Sequence, residues 1–275
     1  LKMATIQAAK CYGLHHLGAI APGYQADFVV LDNLSDMNVL EVYHRGKKIM
    51  KDEKVEIRPC DPQLKNTVHL LGFRESDLCL PWREGKVHIL KMLEGQIVTE
   101  DVQEEVGYTE EKGRKVFKPD GTYQKIAAVE RHKNTGKIGV GIVKGFGLRG
   151  GAIASSVSHD SHNLIVIGDN DHDMYLAVQE LLRTQGGYTL VENGQVFDTL
   201  PLPIMGLMSD AGYEKVNEKL ARMIPKAHEM GIPEGFDPFI TLSFMALPVI
   251  PEIRITPRGV YLTQEDRMIQ SPFDR

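Results

Sequence analysis

Short apolar runs punctuated by glycine, proline and asparagine set the rhythm of this chain, with three stretches of helical periodicity among them. Apolar or small residues at Leu1, Ala4, Ala8 and Cys11 recur at helical spacing and give way to Gly13 and Gly18, which predicts a helix with a glycine stop. Pro22-Gly23 turns the chain into the continuous apolar run Phe28 to Leu31, the pattern of a buried strand. Val39, Val42, Tyr43 and Ile49 surround Arg45-Gly46-Lys47, which predicts a hairpin turning at those three residues. Residues 58 to 82 mix prolines and charge without a sustained period and read as a connector.

A second series of strands follows. Val87, Ile89, Leu90 and Met92 lead toward Gly95, and "QKIAAVERH", "KIGVGIVKGFG" and "NLIVIGD" are each rich in β-branched residues and bounded by Gly, Asn or Asp. Met174, Ala177, Val178, Leu181 and Leu182 form one helical stripe that stops at Gly186-Gly187, so that stripe is expected to be core. Asn193-Gly194 between two strand patterns is a type I′ turn signal. A long amphipathic helix is expected after Ser209 as its cap, kinked or broken at Pro225. The apolar end, interrupted by Pro248, Pro251 and Pro257, predicts a short helix and a last strand.

Length and composition narrow the class. With 275 residues and 42% hydrophobic content, the chain is long enough for a substantial core in one large or two medium domains. The formal charge of -5 and the absence of any Lys/Arg-rich run exclude a basic field for nucleic acid or an anionic membrane surface. No apolar run reaches the roughly 20 residues that span a bilayer, and the first residues lack a signal-peptide core, so a cytoplasmic setting is expected. Cys11, Cys60 and Cys79 are odd in number and lack CxxC pairing, which predicts reduced thiols with at least one buried. Residue 1 already falls within a helical pattern, so the chain is expected to be a piece of something longer.

Gly145, Gly147 and Gly150 match G-x-G-x-x-G after a strand, with Asp169 some twenty residues on. A dinucleotide site needs a crossover helix next, and only "LRGGAIASSVSHDSH" separates these glycines from the following strand. A glycine-rich connection with close backbone packing is the preferred interpretation.

The densest chemistry lies in "SHDSHNLIVIGDNDHDM", residues 158–174. His159 and His162 could face one way on a helical turn, with Asp160, Asp169, Asp171 or Asp173 as further metal ligands, but in a strand or loop the two histidines diverge. A strand-end polar rim is the alternative, with Asp171 or Asp173 capping the next helix. His15-His16 follow a helix stop and read as surface or interface residues rather than ligands. Trp82, the only tryptophan, is expected to pack between domains.

"AAKCYGLHHLGAIAPGYQADFVVLD" resembles the end of the barrel and the returning β-sandwich strands of the amidohydrolase superfamily, through Gly18, Ile20, Pro22, Gly23, Ala26 and Asp27. "KIGVGIVKGFGLRGGAIASSVSHDSHNLIVIGDNDHDM" and "LSFMALPVIPEIRITPRGVY" are similar to the C-terminal domain of bacterial adenine deaminases. The resemblance implies an α+β fold: a partial β-sandwich from the amidohydrolase return, plus a mixed-sheet C-terminal domain with packed helices. The implied boundaries are 1–18 for the end of the last barrel helix, 19–58 for the return strands, 59–84 for the connector and 85–275 for the α+β domain. The family's HxH pair is missing, since His15-His16 are adjacent and His159 and His162 are two residues apart.

The implied activity of the intact protein is hydrolysis of adenine to hypoxanthine and ammonia, in purine salvage. A divalent metal pair (manganese, iron or zinc) would lower the pKa of bound water, and a carboxylate would shuttle protons. The zinc-deaminase signature H-x-E with P-C-x-x-C does not occur, which excludes that class. No catalytic residue is assigned to this chain, and by itself it is expected to be inactive and to bind no metal. His159, Asp160, His162 and Asn163 are its candidates for supporting or substrate-proximal roles, contributed beside an active site on an upstream barrel domain. His159, His162 and Asp169 are the weaker candidates for metal, and Asp171 and Asp173 for helix capping. The partners implied are adenine, the barrel domain and further copies of the chain. The alternative is a structural or oligomerisation domain in which no residue reaches substrate.

Overall fold

The computed structural model describes residues 1–49 and 59–274. The fold is α+β, with several sheets and four α-helices among the described residues. It divides into two compact units, Leu1–Arg58 and Pro59–Arg275.

The first unit holds α1 (Ile6–Cys11) and the antiparallel strands β1 (Phe28–Leu31), β2 (Val39–His44) and β3 (Lys47–Ile49), ordered β1-β2-β3. The β2–β3 hairpin turns at Arg45 and Gly46, both at positive φ, as the sequence led one to expect. Asp27 explains itself here. Its carboxylate accepts from the Arg45 backbone N–H at 2.6 Å, and this bond, with one from Gln25, holds its pKa below the ordinary value. The end of the expected return strands, 50–58, lies outside the described residues.

The second unit is organised by an eight-stranded sheet. In sequence its strands are β4 (Val87–Met92), β5 (Thr99–Glu104), β8 (Tyr123–Val129), β9 (Ile138–Lys144), β10 (Gly151–Ser155), β11 (Leu164–Gly168), β12 (Gly187–Glu192) and β13 (Gln195–Pro201). In space they run β13-β12-β10-β11-β8-β9-β4-β5, antiparallel throughout except for the parallel β4/β9 pair. A separate hairpin, β6 (Tyr108–Glu111) and β7 (Arg114–Phe117), interrupts the series.

The central strands are continuous apolar runs because both faces of the sheet are covered, and the period-2 pleat sorts each run into two cores. Ile126, Ile153, Ile165 and Ile167 point into one core. That core is closed by α3 (Tyr213–Glu229), α4 (Pro238–Phe244) and a small antiparallel sheet of β14 (Ile253–Thr256), β15 (Gly259–Leu262) and β16 (Arg267–Ile269). Ala127, Ala154, Leu164 and Val166 point into the other, closed by α2 (Asp171–Thr184) through Met174, Ala177, Val178 and Leu181.

Residues 59–84 do not behave as a free connector. Val68, Phe73, Leu78 and Leu80 are buried in the α2-side core. Trp82 correspondingly packs inside the second unit, tilted on Tyr108 at 4.5 Å and donating its indole N–H to the Val106 carbonyl, rather than between domains. The long helix α3 runs through Pro225 without a break, and its N-cap is Gly212, not Ser209. Ser209 closes a local turn instead, its hydroxyl accepting from the Ala211 N–H. All three cysteines are free and none is buried, contrary to the expectation that one would be.

The glycine motif is a connection. The element after Gly145, Gly147 and Gly150 is the strand β10, not a helix. All three sit at positive φ, and a Cβ on Gly147 would lie 2.5 Å from the Gly231 carbonyl oxygen. Two backbone segments therefore touch where no side chain fits.

Candidate functional site

Strand β11 separates His159, Asp160 and His162 of the 158–174 segment from Asp169, Asp171, His172 and Asp173. His159 and His162 precede the strand, whereas Asp169, Asp171 and Asp173 follow it. Five residues of strand put about 16 Å between the two groups. One metal ion cannot gather both.

Each aspartate beyond the strand is already engaged. Asp169 accepts from the backbone N–H groups of Gly150 at 2.5 Å and Gly151 at 3.1 Å, so it closes the glycine connection. Asp171 pairs with the buried Lys125, and burial raises its pKa against the pull of that lysine. Asp173 accepts from the Gly194 N–H at 2.8 Å and from the Asn170 side chain at 2.9 Å. The helix cap is Asn170, whose side chain accepts from the Asp173 N–H. Asp171 and Asp173 thus lie inside the first turn rather than at the cap, where they still face the positive end of the helix dipole.

The histidine side is a loop, residues 156–163, held from within by one cation. Arg131 follows β8, is 1% exposed, and donates from Nε to the His162 carbonyl at 2.5 Å. Its other nitrogens reach the Thr67 carbonyl and hydroxyl at 2.8 and 3.1 Å and the Met205 carbonyl at 2.9 Å. Burial pushes its pKa down to about 10, so the guanidinium stays protonated at neutral pH. Its hydrogen-bond partners are a hydroxyl and carbonyl dipoles, and the nearby Glu130 carboxylate favours its charge without a hydrogen bond to it. Three segments distant in sequence are tied to one point.

Asn163 belongs to this scaffold. It is buried, its Oδ1 accepts from the Arg131 backbone N–H at 3.3 Å, and its amide donates to Ser161 Oγ at 3.1 Å. His159 is anchored by its backbone, donating to the Ser243 carbonyl at 3.0 Å, and its ring stacks on Phe244 with centroids 4.8 Å apart. His162 sits at positive φ with its ring edge-on to that of His159, centroids 5.9 Å apart. Asp160 points outward with its side chain 82% exposed. The loop therefore brings together His159 and His162, commits Asn163 to structure and leaves Asp160 in solvent.

The surroundings of His162 disfavour its protonated form. Burial lowers its pKa first, the positive charges of His159 and Arg131 lower it further, and Asp160 opposes them. Ser158 Oγ and His162 Nδ1 are buried without a hydrogen-bond partner among the described residues. The imidazoles can accept or donate hydrogen bonds. They do not form a metal centre, since no three His, Cys, Asp or Glu side chains converge among the described residues. The divalent metal expected for the amidohydrolase class does not fit these residues.

Sequence reasoning missed Arg131, Thr67 and Phe244. Arg131 lies near the end of the strand pattern "QKIAAVERH" and Phe244 lies in "LSFMALPVIPEIRITPRGVY", but nothing local announces that the arginine turns inward or that the phenylalanine meets His159.

Comparison with known proteins places the chain. Residues 1–50 match the amidohydrolase family, and residues 96–267 match the adenine deaminase C-terminal domain. The chain belongs to the adenine deaminase C-terminal domain family. It is 52% identical over 270 residues to a protein named adenine deaminase from Desulfitobacterium hafniense (strain Y51), covering 98% of this chain and 47% of that protein. Proteins of the same name from Nitratidesulfovibrio vulgaris (strain DP4) and Listeria monocytogenes are 43% and 39% identical, over 94% and 95% of this chain and 45% and 46% of their own lengths. The chain spans about half the length of the curated relatives it matches.

Proposed function

We propose that this chain is the C-terminal portion of an adenine deaminase and that its histidine loop borders the active site of the intact polypeptide. The observation that carries the role of the loop is the His159–His162 pair, set edge to edge on a loop that a buried arginine holds in place. The relatives' names support the reaction: water adds to the purine carbon bearing the amine, the C–N bond breaks, and hypoxanthine and ammonia leave. Imidazoles at the edge of such a site offer hydrogen bonds to a purine edge. The divalent metal pair of the intact enzyme, manganese, iron or zinc, belongs with residues outside this chain.

Three free thiols accord with a cytoplasmic purine-salvage enzyme. Among the described residues no helix is long and apolar enough to cross a membrane. The alternative of a purely structural domain predicts that both histidines are dispensable. The test is adenine turnover by the intact polypeptide, followed by stoichiometric release of hypoxanthine and ammonia. His162→Ala and His159→Ala should each lower kcat/KM at least tenfold while leaving thermal unfolding near that of the parent, whereas unchanged turnover would return the loop to a structural role.

A further inference from the structure

The segments that Arg131 ties together carry apolar side chains left exposed. The Met205 backbone N–H donates to the Leu64 carbonyl at 2.6 Å, and Ser156 Oγ donates to the Gly206 carbonyl at 2.5 Å. The turn 204–208, the segment 62–67 and the histidine loop therefore form one continuous surface. On it Met205 is 44% and Met208 54% exposed, and Leu64 is also exposed. The surface continues past His159 onto α4, where Ile240 lies one helical turn from Phe244 on the same side and is 53% exposed.

Two polar features point the same way. The histidine loop holds two buried side-chain atoms without hydrogen-bond partners, Ser158 Oγ and His162 Nδ1. Behind it lies a buried cation whose hydrogen bonds go to carbonyls and a hydroxyl. Methionines among polar groups with unused hydrogen-bonding capacity are the composition of an interface core rather than of a solvated face.

We propose that this surface, Leu64, Met205, Met208, His159 and Ile240, is where the N-terminal, catalytic half of the intact polypeptide docks. The occupant follows from length: the chain covers 45–47% of relatives that match almost all of it, so a partner of comparable size belongs to the same polypeptide. The proposal rests on the reading that the intact protein has such a half, and it adds which face that half covers. Docking there brings the catalytic half directly onto the histidine loop.

Methionine oxidation by hydrogen peroxide reads this face in unmutated protein. Sulfoxide formation at Met205 and Met208, measured by peptide mass spectrometry and normalised to free methionine in the same tube, is compared between the 275-residue chain and the full-length polypeptide. Met174, buried in the core, serves as the slow control in both. The expected result is oxidation at least tenfold slower in the full-length protein. Equal rates within twofold would overturn the docking face. Protection that appears in the 275-residue chain alone and rises with its concentration would assign the face to a second copy and overturn it equally. Adenine turnover on the same full-length sample separates the two claims. Turnover with unprotected methionines sinks the docking face alone, and protection without turnover sinks the activity alone.

Discussion

Arg131 Nε and the carbonyl oxygen of His162 lie 2.5 Å apart, joining the end of β8 to the loop that enters β11. These strands are neighbours in the sheet, paired from Leu164/Val129 to Gly168/Lys125. The guanidinium thus continues the ladder beyond its last backbone pair, and it does so in the interior. One of the four hydrogen bonds from this buried cation holds the backbone of the histidine loop at His162, and the other three tie that point to Thr67 and Met205, so the position of His162 depends on a residue some thirty positions away.

Replacing Arg131 by Met should therefore cost roughly 3 kcal/mol, because buried carbonyls of Thr67, His162 and Met205 lose their donors. Arg131→Lys should recover only part of the loss, as an ammonium lacks the fork that reaches three segments. Urea unfolding of the 275-residue chain measures both. An unchanged midpoint in Arg131→Met would remove the arginine from the account.

His162 makes a pH dependence. Its pKa in the folded chain lies below 6.5, lowered by burial, then by His159 and Arg131 and slightly by His132, with Asp160 pulling the other way. Below pH 6.5 the unfolded chain binds the proton more readily, so stability is full above that pH and is lost as pH falls through the folded value. His162→Asn should flatten this part of the stability profile relative to the parent. An equally steep fall in the variant would locate the titration elsewhere.

Gly147 tests the glycine connection. At φ +80°, with the Gly231 carbonyl 2.5 Å from an added Cβ, Gly147→Ala should lower stability by roughly 2–4 kcal/mol. Gly194→Ala, also at positive φ but with nothing within 4 Å, should cost less. Thermal unfolding of the two variants side by side gives the comparison, and equal losses would deny the close approach.

How far the sequence carried depends on the range of each signal. The Asn193-Gly194 hairpin, the α2 stripe and the strand runs 123–129, 138–144 and 164–168 were legible because turn chemistry and periodicity are local. The β6–β7 hairpin was missed, although Lys112 and Gly113 at positive φ make a two-residue turn of the same kind. Residues 59–84 misled because their apolar positions pack on an already built core and need no period of their own. The 158–174 segment looked like one centre because its histidines and aspartates are close in sequence. The intervening strand divides them, and Lys125, Gly150 and Gly194 take the aspartates from positions 20 to 50 residues distant.

The central claim is that this chain completes a deaminase whose chemistry lies elsewhere in the polypeptide. Adenine turnover by the 275-residue chain, alone and mixed with the separately expressed N-terminal half, with manganese, iron or zinc added, tests it most directly. The account predicts no hypoxanthine from the chain alone, turnover on mixing, and a mixed activity lowered by His159→Ala or His162→Ala. Turnover by the 275-residue chain alone, or mixed activity indifferent to both histidines, would contradict it.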